Sequence, residues 1–218
     1  MPPLLRGGQT TALALVAAIL LSACGGDDSS DQASDLPDGC TEVESPAAKD
    51  DTFTKPKGSL SGPASAVVKT NCGEFTIELD TGRAPKTTSS FAGLVDQGLY
   101  DDTLIHRIEP GFVVQGGDPQ GNGTGGPGYS VDEQPPQNLT YTRGTVAMAK
   151  TAAEPPGRSG SQFFIVTAPA DAGLPPDYAL LGKVSEGFET VERIESLVGP
   201  DGKQAAPAVI ETITLEQG

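Results

Sequence analysis

From Ala66 onward the chain carries two hydrophobic periods in turn. Phe75, Ile77 and Leu79 alternate with Thr76, Glu78 and Asp80, the period-two pattern of a strand with one buried face. Ala66-Val67-Val68 begins an earlier strand, and Asn71-Cys72-Gly73 supplies turn residues between the two, which predicts a β-hairpin. The period then lengthens. Ala84-Pro85 opens a helix in which Phe91, Leu94 and Val95 share a face, and Gly98 is placed to stop it. Further strands are predicted at Thr145 to Lys150, Ser161 to Thr167, Tyr178 to Val184 and Ile210 to Leu215. A second helix is predicted over Phe188 to Val198, where Val191, Ile194, Leu197 and Val198 form one stripe. Many short strands with two helices predict a mainly β domain, closed into a barrel with helical caps, because closure leaves no strand edge exposed.

The first 62 residues follow neither period. Residues 1–23 carry one charge, Arg6, and Ala12 to Leu21 is an unbroken apolar run. That run has the length of a signal-peptide core and is short for a membrane-spanning helix. Leu21-Ser22-Ala23-Cys24 follows at once and resembles the lipobox of bacterial lipoproteins, in which the cysteine becomes the lipidated first residue. The expectation is a lipoprotein signal over 1–23, a lipid at Cys24, and a domain held outside the cytoplasm on the bacterial cell membrane. An ordinary secretory signal is the alternative, and it places the domain in the same compartment.

Residues 24–62 are rich in Gly, Asp, Ser, Pro and Ala. Between Asp27 and Asp51 nine acids stand against Lys49 alone. Such a segment is expected to be a flexible acidic tether, with Phe53 its only aromatic and no part in the core. The globular domain is then 63–218. The net charge of −15 repels phosphate backbones and argues against nucleic acid as a partner. With Cys24 assigned to lipid, Cys40 and Cys72 remain. An oxidising compartment makes a disulfide between them the expectation, two free thiols being the alternative.

Candidate chemistry concentrates between Leu104 and Gly126, LIHRIEPGFVVQGGDPQGNGTGG, which holds the chain's one histidine, His106, beside Arg107. The residues HRIEPGFVVQGGDP followed by GNGTGG closely resemble the signature of the cyclophilin-type peptidyl-prolyl cis-trans isomerases. TGRAPKTTSSFAGLVDQGLYDDTLIHR, SQFFI and Gly182-Lys183-Val184 extend the resemblance over about Ala66 to Glu216. It implies a closed eight-stranded antiparallel barrel capped by two helices, and rotation of X-Pro peptide bonds as the activity. It also implies roles. Arg107 is the catalytic residue. Phe112, Val113, Phe164 and Leu174 grip the proline ring, and Gln115 and Gln162 hold the peptide backbone. Gly123 to Gly126 and Ala149-Lys150-Thr151 line the groove. Three positions depart from the common pattern: Lys150 stands where an asparagine is frequent, Gly173 near the place of a tryptophan, and Tyr178 where a histidine often lines the pocket.

The chemistry suits those residue types. Amide resonance blocks rotation by ~18–20 kcal/mol. Twisting the bond makes the proline nitrogen pyramidal and exposes its lone pair, which a guanidinium can hydrogen-bond. Rotation about one bond needs no nucleophile, metal or cofactor. The expected partners are proline-containing peptides and unfolded proteins, met by a monomer. A non-catalytic proline-peptide-binding module is the alternative, although binding alone would need only the pocket. His106 could serve a triad, but no G-x-S-x-G elbow occurs, so a structural histidine hydrogen-bonded beneath the site is expected. Gly121 to Gly126 satisfies G-x-G-x-x-G, yet Pro127-Gly128 follows in place of the helix that dinucleotide binding requires.

Overall fold

The hairpin forms between β1 (Ala64–Thr70) and β2 (Gly73–Leu79), in antiparallel register. Ala66, Val68, Phe75, Ile77 and Leu79 point to the core and their alternates to the surface. The computed structural model describes residues 36–218, so the signal-like segment and Cys24 lie outside the described residues. After the hairpin come α1 (Pro85–Val95), β3 (Thr103–Leu104), β4 (Arg107–Glu109), β5 (Val113–Gly116), β6 (Val131–Asp132) and β7 (Thr145–Met148). The order continues with β8 (Arg158–Ser159), β9 (Phe163–Val166), β10 (Leu180–Glu186), α2 (Phe188–Glu195) and β11 (Val209–Gln217).

Nine strands join in one antiparallel sheet in the order β3-β11-β1-β2-β10-β7-β9-β5-β4, and β6 pairs with β8 apart from it. The expectation of a closed eight-stranded barrel is corrected here: the main sheet has nine strands and is curled but not closed by a ladder. Its two edges, β3 and β4, are nonetheless separated in sequence only by Ile105 and His106. Two residues span about 7 Å, so the sheet must curl strongly to bring its edges to one place. The two-residue break supplies no ladder between them.

Both faces of the central strands are covered. Val114, Val146, Met148, Phe163 and Ile165 turn into the main core with α1 and α2. Their alternates Val113, Ala147, Phe164 and Val166 form a second cluster on the opposite face. β7 and β9 are therefore buried throughout. At β10, Gly182 permits the close approach to β2, since a Cβ there would lie 2.0 Å from the Glu78 carbonyl oxygen.

The tether expectation fails for residues 36–62. They run as an irregular strap along the domain, because their few apolar groups find sites on it. Phe53 enters the main core, with Leu36, Cys40 and Leu60 packed against it. Cys40 is bonded to Cys72, 32 residues on. The Leu60 amide donates to Ser89 Oγ of α1 at 2.8 Å, and Thr54 and Gln97 exchange two hydrogen bonds. Pro56 packs on Gly93 so closely that a Cβ there would lie 2.7 Å from its ring.

Candidate active site

Strand register assembles the site. Arg107 on β4 faces Gln115 on β5, Gln115 faces Phe164 on β9, and Phe164 faces Ala147 on β7. Residues paired across a ladder share a face of the sheet. The row lies on the outer face, away from the main core, where Phe112, Ala149, Leu174 and Tyr178 pack around Val113 and Phe164. Strand alternation separates the two adjacent phenylalanines: Phe163 goes to the core and Phe164 to this cluster.

The result is a cavity of about 170 Å³ lined by Arg107, Phe112, Val113, Gln115, Ala149, Lys150, Phe164, Leu174 and Tyr178. A second cavity, of about 570 Å³, shares Gln115, Ala149 and Lys150 with the first. It continues past Gly123, Gly125, Thr151 and Gln162. The sequence-derived site residues thus divide between two adjoining pockets of one groove. Residues 123–126, Thr151 and Gln162 belong to the second, Gln115, Ala149 and Lys150 to both, and the rest line the first.

Arg107 stands at the rim with its guanidinium 5.8 Å from the Phe112 ring centre. Its Nε and Nη2 donate to Glu109 Oε1 at 3.1 and 2.7 Å, and Nη1 donates to Gln115 Oε1 at 3.3 Å. A guanidinium has five N–H donors. Three are engaged, and two remain without a protein acceptor among the described residues. The Arg107–Glu109 pair is half exposed and contributes little to stability; its effect is to fix the plane of the guanidinium.

Gln115 Nε2 donates to Gln162 Oε1 at 3.0 Å. Gln162 Nε2 in turn donates to the carbonyls of Gly123 and Gly125 at 3.1 and 2.9 Å. The glycine-rich wall is itself built on Asp118, which is fully buried. Its Oδ1 accepts the Gln120 amide at 2.8 Å, and its Oδ2 accepts those of Asn122 and Gly123 at 3.0 and 2.6 Å. A Cβ on residue 125 would meet Asp118 Oδ1 at 2.1 Å, so Gly125 is required there.

The chain and its fold have counterparts among known proteins. A family model for "Cyclophilin type peptidyl-prolyl cis-trans isomerase/CLD" matches residues 65–215. The chain belongs to the cyclophilin-type peptidyl-prolyl cis-trans isomerases. Among its relatives, the probable peptidyl-prolyl cis-trans isomerase B of Mycobacterium leprae is 37% identical over 172 residues, covering 70% of this chain and 57% of the relative. The isomerase-like protein 1 of Neurospora crassa is 39% identical over 145 residues, covering 65% and 85%. A crystal structure of a Cryptosporidium parvum cyclophilin-type isomerase superposes with a TM-score of 0.65 at 32% identity, covering 72% of this chain and 99% of that one. A second structure of that protein was obtained in the presence of the dipeptide Ala-Pro.

In this cyclophilin domain Tyr178 lines the smaller cavity. Its ring meets Phe164 and Tyr141 edge-on, with centroids 5.4 and 6.0 Å apart. Tyr141 is fully buried and fixes the backbone there, its hydroxyl donating to the Tyr178 carbonyl at 2.6 Å and accepting the Tyr178 amide at 3.1 Å. Burial raises the Tyr141 hydroxyl to a pKa of about 12, opposed by the Tyr178 backbone contact. Lys150 Nζ donates to the carbonyls of Thr151 and Glu154 at 3.3 and 3.2 Å and stands 5.6 Å from the Tyr178 ring centre. It therefore presents its charge where the two pockets meet.

His106 lies beneath Gly123, and the expected hydrogen bond is not made. Among the described residues neither ring nitrogen has a hydrogen-bond partner. Burial lowers its pKa, with Arg107 adding to the effect, while nearby Asp118, the Leu104 backbone and Gln162 oppose it. Glu109, Asp118 and Tyr141 escaped the sequence reading, although the Asp-Pro step before the glycine run was a turn signal that could have marked Asp118.

Proposed function

We propose that this protein is a peptidyl-prolyl cis-trans isomerase that works outside the cytoplasm, held to the bacterial membrane by a lipid on Cys24, on proteins that fold there. The observation that carries the catalytic reading is Arg107, at the rim of an apolar cavity with two guanidinium donors unspent. Phe112, Val113, Phe164, Leu174 and Tyr178 would hold the proline ring while the preceding carbonyl turns. Gln115 and Gln162 would hold the flanking backbone. Arg107 would donate to the proline nitrogen as it becomes pyramidal.

That hydrogen bond is absent from the planar ground state, because the planar amide nitrogen offers no lone pair. Interactions stronger in the transition state than in the ground state are those that raise the rate. An arginine fits the role because it stays protonated and its donors are coplanar. The lipid anchor rests on the apolar run before Leu21-Ser22-Ala23-Cys24.

The test is isomerisation of a proline tetrapeptide by the full chain. Catalysis well above the uncatalysed rate is expected, and its absence would favour a peptide-binding module. For the anchor, Cys24→Ala should move the protein from the membrane to the soluble fraction without loss of activity. Retention on the membrane would refute the lipid assignment.

A further inference from the structure

Lys49 is the one cation in the acidic stretch from Asp27 to Asp51, and it is half-buried where its neighbours are mostly exposed. Its ammonium donates to the carbonyls of Gly98 and Leu99 at 3.0 and 3.3 Å, and to that of Asp101. These carbonyls lie in the turn that follows α1. The side chain thus plugs the turn between α1 and β3. With the strap pinned there, the Lys49 backbone amide donates to the Pro119 carbonyl at 2.9 Å.

Pro119 adjoins Asp118, and Asp118 carries the groove wall. From there the connections run without a gap. Asp118 accepts the Gly123 amide, the Gly123 carbonyl accepts from Gln162, Gln162 accepts from Gln115, and Gln115 accepts from Arg107. The strap touches the other end of the same loop as well. Lys55 Nζ donates to the Ser130 carbonyl at 3.2 Å and lies 5.9 Å from the centre of the Tyr129 ring. Tyr129 and Ser130 line the second pocket.

We propose that the strap of residues 36–62 is a working part of the peptide groove, with Lys49 as the positioning residue that holds the 118–123 wall, and through it Gln162 and Gln115, in register with Arg107. The strap is stapled by Cys40–Cys72 and seated by Phe53, so it offers Lys49 a fixed platform. The substrate touches the wall and the glutamines, while Lys49 acts through them. The inference rests on the isomerase reading, and its tests separate the two: a wild type without activity defeats that reading, whereas the results below concern Lys49.

Lys49→Met in the full chain should raise KM for a proline tetrapeptide about 3- to 10-fold, the usual size of coupling through a packed network. kcat should stay within about 2-fold by the same argument, because Lys49 contacts neither Arg107 nor the residues of the apolar pocket and Glu109 still holds the guanidinium. Lys49→Arg should recover most of the loss. Gln97→Ala removes the strap's bonds at Thr54 without touching the wall, and it should lower Tm while leaving KM unchanged. In a Gln162→Ala background the KM effect of Lys49→Met should shrink, since the link it acts through is gone. A wild-type KM in Lys49→Met, or the same rise in Gln97→Ala, would overturn the proposal.

A second readout needs no variant. Coupling is reciprocal, so a saturating proline peptide in the groove of the wild-type protein should slow amide exchange at Lys49. Exchange there unchanged by peptide would equally overturn it.

Discussion

Asp118→Asn is the perturbation that reads fold and groove together. The carboxylate is fully buried and accepts three backbone amides, one on Oδ1 and two on Oδ2. The amide keeps a single acceptor oxygen. If that oxygen takes the place of Oδ2, the new buried NH₂ group faces the Gln120 N–H, donor to donor, and is left without an acceptor. A stranded donor costs about 1–3 kcal/mol, and replacing two charge-assisted bonds by neutral ones costs about 1 kcal/mol each. The expected loss is therefore about 3–5 kcal/mol of unfolding free energy. Urea denaturation followed by circular dichroism measures it, with a lower midpoint and an unchanged slope. The same variant should raise KM, because Gly123 carries the carbonyl that holds Gln162. A loss below about 1 kcal/mol, the worth of one neutral hydrogen bond, together with unchanged KM would refute the view that Asp118 builds the wall.

Other outcomes follow from the same structure. Cys40→Ala/Cys72→Ala opens a link between residues 32 apart, for which the chain-entropy model gives about 4 kcal/mol. Melts of the variant and of wild type with and without reductant check this, and equal Tm in all three would contradict it. For His106, burial lowers the folded pKa below the ordinary 6.5, so the unfolded chain binds the proton more readily. Stability is then complete above about pH 6.5 and declines as pH falls from there toward the lowered folded value. His106→Gln should remove that part of the decline between pH 7.5 and 5, and identical pH profiles for the two proteins would count against it.

What was legible in the sequence was local. Arg107, Phe112 and Gln115 fall in one short segment, and a single hairpin register brings them together. The alternation at Phe163-Phe164 sent one ring each way. Long-range features were not legible. The strap's composition is that of a solvated tail, and nothing in its spacing reveals that Phe53 finds a core site or that Lys49 finds three carbonyls. Barrel closure was read from strand number and the need to hide edges, whereas Ile105 and His106 break the ladder at the point where the edges approach. Asp118 and Tyr141 act through backbone groups of distant segments, which no local pattern records. For His106, the missing elbow argued against a triad and left a structural, hydrogen-bonded histidine as the expectation. Among the described residues the imidazole instead packs without a partner under the glycine-rich wall.

The central claim is that Arg107 stabilises only the twisted proline amide, and Arg107→Ala tests it most directly. Isomerisation kinetics on a proline tetrapeptide should be paired with a binding titration of the same peptide. Removing one preorganised donor should lower kcat/KM ~10²–10³-fold. Arg107→Lys should recover little, since an ammonium lacks the fixed planar donors. Peptide affinity should change far less than the rate, because the pocket of Phe112, Phe164 and Leu174 remains. Isomerisation by Arg107→Ala at the wild-type rate, or a loss of affinity that matches the loss of rate, would contradict the account.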